Sequence, residues 1–357
     1  MKRRTTVIIS AATALAIGGA VTQSLVGHAE PAAPAAAVAG KTSVTTVAPA
    51  AEAAPAAAAV KGLPKTMTFY ADPKSGPATW VAQNAGDSRK ATIKAKLSSK
   101  PSAKWFGNWS GSIRPAVNTY VSAAAKKKKT PILVAYNIPG RDACGGHSSG
   151  GTAVSEYRTW IKSFANGVGK RRALVVLEPD SLADFQCMST ADATTRTKLL
   201  SYATEQFKKS APNAYVYLDA GNSNWASAQD MSGRLVKAGL KNVRGFSLNV
   251  SNYRTTAQEN AYAAKVNAEL RKRGAKAKPY VVDTSRNGNG SNGEWCNPAG
   301  RKLGAVSQVN KKPTAKTPEA RLWIKTPGES DGNCGIASGT AAGVFDPQIA
   351  VSLIKGQ

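Results

Sequence analysis

Residues 154–180 read VSEYRTWIKSFANGVGKRRALVVLEPD. The first part sets Tyr157, Ile161, Phe164 and Val168 at spacings of three and four, which draws one apolar stripe along a helix. A short basic break follows. Ala173-Leu-Val-Val-Leu177 is then apolar without alternation, the pattern of a strand buried on both faces. It runs straight into Glu178-Pro-Asp180. Helix, buried strand and then acids make the repeating unit of a parallel sheet with chemistry at the strand's C-terminal end.

The same unit recurs outward in both directions. Apolar runs stand at Met67–Tyr70, Ala103–Phe106, Ile132–Tyr136, Ala214–Leu218, Gly245–Asn249, Pro279–Val282 and Arg321–Ile324, with helical segments between most of them. About eight such strands predict an α/β fold, a distorted TIM-like (β/α) barrel of parallel strands with its active site at their C-terminal ends.

Acids fall where that site would form. Asp142 follows the third run, Glu178 and Asp180 the fourth, Asp219 the fifth, Asp283 the seventh, and Glu329 and Asp331 the last. The chain has only 21 acidic residues. One such residue is as often a cap or a loop anchor, whereas several on one rim point to a site. Carboxylates without a metal-ligand set suit acid–base hydrolysis of a glycoside, and crowding keeps one of them protonated near neutral pH. Trp105, Trp109, Trp225 and Trp295 fall in loops or at strand ends, where indole faces can stack on sugar rings. Core packing explains Trp160 and Trp323 better.

The remaining features set the context. Lys2-Arg-Arg4, a short apolar stretch and Gly27-His-Ala29 form a secretory signal pattern over residues 1–29. The apolar run is short for a span, so the expected product is secreted, extracellular and free of the membrane after cleavage. Residues 30–63 are an Ala/Pro-rich linker with no aromatic residue. Residues 64–357 form the one folded domain. Cys144, Cys187, Cys296 and Cys334 suggest two disulfides, each worth roughly 2–4 kcal/mol. Three pairings are possible, and sequence order favours 144–187 with 296–334. No CxxC pair occurs and His147 is the one histidine of the domain, so neither a metal nor another cofactor is expected. The net charge is +27. Its cations are scattered and mostly sit on helices, which argues for a charged exterior and not for a nucleic-acid partner.

These strings together resemble the catalytic domain of glycoside hydrolase family 6, the inverting cellulases. The resemblance is carried by Val134–Asp142, Leu177-Glu-Pro-Asp180, Leu218-Asp-Ala-Gly221, Asn249–Tyr253, Asp283–Asn289, Glu294-Trp-Cys296 and Trp323–Asp331, all in family order. It implies a monomeric enzyme acting on β-1,4-glucan, with Asp180 as the general acid. Asp142 would raise the pKa of Asp180 and help position water. Asp331 would be the second acid, often labelled the base. Tyr136 would press on the distorted sugar and Asp219 would support the network. Trp105, Trp225, Asn252, Trp295, Lys325 and Glu329 would line the glucose subsites. The family's cysteine pairing agrees with 144–187 and 296–334. Asn222 and the extra residue Ala143 depart from the pattern, leaving a substrate contact and the Asp142 loop to be tested. Short connections after the strands favour an open cleft and internal cutting. The alternatives are an exo-acting cellobiohydrolase of the same family, or a glucan-binding protein that has lost catalysis.

Overall fold

A computed structural model describes residues 62–357. The expected signal and nearly all of the expected linker lie outside the described residues. Leu63, at the linker's end, is buried in the barrel interior.

Eight strands form one sheet: β1 (Lys104–Phe106), β2 (Ile132–Ala135), β3 (Ala173–Leu177), β4 (Ala214–Asp219), β5 (Gly245–Leu248), β6 (Tyr280–Asp283), β7 (Gln308–Val309) and β8 (Ala320–Leu322). Their order is β1-β2-β3-β4-β5-β6-β8-β7. All pairs are parallel except β7 with β8. The sheet curls until its ends nearly meet. The Ala103 N–H donates to the Trp323 carbonyl at 2.9 Å, and Trp105 Nε1 donates to the Ile324 carbonyl at 2.8 Å. This is the expected distorted barrel.

Two of its strands differ from expectation. Met67–Tyr70 contributes a single bridge, Phe69 with Thr130, because the Asp72-Pro73 turn diverts the chain at once. The eighth strand is β7, only two residues long, too short to carry a periodic signal.

The continuous apolar runs now have their reason. Along β2 and β3, Ile132, Val134, Leu174 and Val176 fill the barrel with Tyr217, Val281 and Leu322. Leu133, Ala135, Val175 and Leu177 face the other way, into the helix layer. That layer comprises α3 (Ile113–Lys126), α4 (Val154–Val168), α5 (Thr190–Ser210), α6 (Ala228–Lys237) and α7 (Thr256–Lys272), while α1 (Gly76–Gln83), α2 (Lys90–Ile93) and α8 (Pro347–Lys355) pack in smaller clusters, α1 and α2 with Trp323. Helix α4 follows its predicted stripe: Tyr157, Ile161, Phe164 and Val168 are all buried. Ser189, Ser227 and Thr255 cap α5, α6 and α7, each accepting the N–H three residues on.

Candidate active site

The C-terminal ends of the strands open into a cleft of about 820 Å3. It is lined by Tyr136, Asp142, Asp180, Asp184 and Asp331, by Trp105, Trp109, Trp225 and Trp295, and by Asn252, Lys325 and Glu329. Of the sequence-derived candidates, Asp219 lies beneath the cleft, and Glu178 and Asp283 are buried away from it; the others line it.

Glu178 and Asp180 show why two acids two positions apart do different things. Glu178 is fully buried. Its carboxylate accepts the N–H groups of Asn137 and Ile138 at 2.8 and 3.0 Å and the Tyr157 hydroxyl at 3.0 Å. It therefore pins the β2 loop to the end of β3. Burial pushes its carboxyl up to about 7, against the pull of those donors. Asp180 points into the cleft, and its Oδ1 is buried without a hydrogen-bond partner. Both residues have positive φ, 50° and 67°, as does Asp142 at 55°. Such backbone is costly for non-glycine residues and persists where the surroundings fix it.

Asp219 does the fixing beneath Asp180. It accepts the Asp180 N–H at 3.0 Å, the Gly221 N–H at 2.9 Å and the Ser247 hydroxyl at 2.9 Å. Burial still raises its carboxyl to about 7. Asp180 has no donor to offset burial, and it also meets the charges of Asp219, Asp184 and Asp142, so its pKa is pushed well above the usual carboxylate range. With three donors on Asp219 and none on Asp180, burial favours the neutral carboxyl more strongly at Asp180 than at Asp219.

Asp142 is held from both sides. Its Oδ1 accepts the Tyr136 hydroxyl at 2.5 Å and its Oδ2 accepts the Ser148 N–H at 2.9 Å. Burial, together with the nearby carboxyls, pushes the Tyr136 phenol well above its ordinary value, so it stays neutral and donates to Asp142. Arg141 braces this corner, donating to the Ser148 carbonyl at 2.7 Å and lying 5.1 Å over both the Trp109 and Tyr136 rings.

Asp331 sits in the opposite environment. Its carboxylate meets Arg286 at 2.7 Å, Lys325 at 3.3 Å, the Asn297 N–H at 3.1 Å and the Tyr253 hydroxyl at 3.2 Å. Burial pulls its pKa up, but Arg286 and Lys325 outweigh it and hold the carboxyl below its ordinary value. Asp283 is an anchor, as a lone acid there could be. Fully buried, it accepts the N–H groups of Ser251, Ser285, Ile324 and Lys325 and ties three strand ends together.

Asp184, a cleft acid beside Asp180, is not among the acids expected from sequence. Asp184 lies on the 3₁₀ turn Ala183–Cys187. It accepts the N–H of Ala143, the extra residue of the Asp142 loop, at 3.1 Å and pairs with buried Arg196 at 3.5 Å. Arg196 in turn donates to the carbonyls of Pro139 and Gly140. The added residue thus has a partner that fixes its loop. Its spacing from Asp180, four residues, was the signal available. Asn222 is buried and accepts the Asn224 N–H at 2.9 Å, so its carbonyl serves a local turn.

Cys144–Cys187 and Cys296–Cys334 are joined, the favoured pairing. His147 comes close to Cys296 and Cys334, but both sulfurs belong to the disulfide, and no thiolate remains for a metal.

Comparison with known proteins matches this geometry to one family. The model for "Glycosyl hydrolases family 6" covers residues 64–356. The chain is 54% identical over 296 residues to Endoglucanase 1 of Streptomyces halstedii, spanning 82% of this chain and 91% of that one. It is 41% identical to Endoglucanase A of Cellulomonas fimi, across 81% of this chain and 61% of that longer protein. Among solved structures, the endoglucanase Cel6 from Mycobacterium tuberculosis, in complex with methyl-cellobiosyl-4-deoxy-4-thio-β-D-cellobioside, aligns with a TM-score of 0.73 at 36% identity. That match covers 81% of this chain and 97% of the other. Fold, cleft and sequence agree, and the chain belongs to glycoside hydrolase family 6.

Proposed function

We propose that this protein hydrolyses β-1,4-glucosidic bonds within cellulose-type glucans, with inversion at the anomeric carbon and Asp180 as the acid. The observation that carries this reading is the unpartnered, desolvated carboxyl of Asp180 facing a tryptophan-lined cleft. A carboxyl kept protonated there can donate to the leaving glycosidic oxygen. Water attacks from the opposite face. Asp142, held by Tyr136 and Ser148, is the carboxylate suited to draw the water's proton, directly or through a second water. Asp331 is poorly suited to it, because two cations hold its basicity down. It serves as an ion-paired anchor that sets the field and positions Lys325.

Trp225 and Trp295 stack the flanking sugars, while Trp105, which packs edge-on to Tyr136 with ring centroids 5.2 Å apart, shapes the cleavage point. Asn252, Lys325 and Glu329 hydrogen-bond to hydroxyls. The rim indoles Trp109 and Trp295 are 56% and 47% exposed, so no loop roofs them, which supports internal cutting. The relatives named endoglucanases support it too. Two disulfides support work outside the cell. No described helix is long and apolar enough to cross a membrane.

The test uses hydroxyethylcellulose, a neutral soluble substrate. Viscosity should collapse well before reducing ends accumulate, and proton NMR of the first product should show the α-anomer. Proportional loss of viscosity and gain of ends would indicate exo action. No release of ends from a folded protein would leave only a glucan-binding role.

Asp184 offers a sharper check on the acid. Asp180 is faced by Asp219, Asp184, Asp142 and Tyr136, with Arg196 behind Asp184. The negative charge of Asp184 favours the neutral form of Asp180 and so raises its pKa. Asp184→Asn removes that charge, so Asp180 ionises at lower pH. The alkaline limb of the kcat profile should move to lower pH, while the amide can still accept the Ala143 N–H. An unmoved limb would mean that Asp180 does not set it.

A further inference from the structure

The acids gather at the C-terminal ends of the strands, and the other end of the barrel is charged the opposite way. The connections entering β2 to β6 bring Lys126–Lys129, Lys170–Arg172, Lys208-Lys209, Lys241 with Arg244, and Lys276 with Lys278. Residues 126–131, 169–172, 208–213, 238–244 and 271–279 contain no acid. Part of this has a local cause. Lys126, Lys208, Lys209 and Lys272 lie in the last turns of α3, α5 and α7, where cations complement the helix dipole.

That cause does not reach Arg172, Arg244, Lys276 and Lys278. These four lie past the helices, at the starts of β3, β5 and β6, and line one depression of about 600 Å3. No carboxylate lines it. Crowding like charges is unfavourable, and here it has visible consequences. Burial, with Arg244 and Lys276 close by, pushes the Lys278 ammonium below its ordinary range. Buried Glu319 pairs with Arg244 at 2.5 Å from within the barrel, offsetting one cation of the four. The rest form a concave cationic surface that an anion would stabilise.

We propose that this depression binds an anionic polysaccharide, with the repeating carboxylates of a uronate chain met by Arg172, Lys276 and Lys278. A polysaccharide fits better than a nucleic acid. Binding single strands relies on aromatic faces open to bases, and the one aromatic lining residue, Tyr215, has Arg244 over its ring at 5.4 Å. The site is at the end of the barrel away from the cleft. A chain bound there would hold the protein on an acidic matrix while the cleft stays free for neutral glucan.

The experiment uses the full-length protein and immobilised polygalacturonate. Wild type should bind at low ionic strength and elute as salt screens the contacts. Arg172→Glu with Lys276→Glu should weaken binding at least about tenfold, because each reversal turns attraction into repulsion. The control, Lys94→Glu with Lys96→Glu, makes the same charge change on the exposed face of the segment Lys94–Ser98 and should keep most of the binding. Hydrolysis of a neutral cello-oligosaccharide should be unchanged in both, showing that they fold. Equal loss in the control would overturn the site in favour of net charge alone. Single-stranded DNA that displaces polygalacturonate at equal charge would overturn the choice of polysaccharide.

Discussion

Asp180→Asn should lower turnover of cello-oligosaccharides by about two to four orders of magnitude, the usual contribution of a positioned general acid. The loss should be confined to chemistry. Asparagine tolerates the positive φ of 67° at this position far better than alanine would. The backbone N–H still donates to Asp219. No hydrogen bond of the side chain is lost, since Oδ1 has no partner. Thermal stability should therefore hold or rise, because a buried carboxyl pressed by three others has been removed. Aryl cellobiosides with good leaving groups need less protonation and should lose less. The alkaline limb of the pH profile should disappear with the group that sets it. Near-normal turnover of unactivated substrate by the folded variant would reject Asp180 as the acid.

Asp331→Asn should have the largest effect on stability. Arg286 is 1% exposed, and its guanidinium meets the Asp331 carboxylate, the Ser251 carbonyl and the Tyr253 ring at 4.3 Å. Lys325 closes the other side. Taking away the carboxylate charge leaves two buried cations facing a neutral amide. Breaking one partner of a buried pair typically costs about 3–5 kcal/mol, which corresponds to a fall of roughly 10 °C in Tm for a domain of this size. Activity should fall as well, because Lys325 and the Asn297 loop depend on the same carboxylate. The anchor and base roles separate on rescue. Azide, which can replace water when a base is missing, should restore nothing if Asp331 is an anchor. An unchanged Tm with azide-restored turnover would make it the base instead.

Much of the site was legible because its acids follow apolar runs directly. The sequence could not rank them. Glu178 and Asp180 stand two positions apart, yet one is clasped by three donors and the other has none. Asp283 looks like a site acid and ties loops together. Asp184 lies one turn beyond the expected strand end and joined the cleft only through the 3₁₀ turn that follows.

By itself the sequence determined the alternation of buried strands and amphipathic helices, and the placing of carboxylates at strand ends. Both are local: a continuous apolar run needs cover on two faces, whatever supplies it. Only the tertiary structure decided which carboxyl keeps its proton. That depends on desolvation and on partners far along the chain, Asp219 beneath Asp180 and Arg286 against Asp331. It also decided where the excess positive charge collects. Parallel strands bring successive connections to one end, so cations scattered in sequence become a single face opposite the acids.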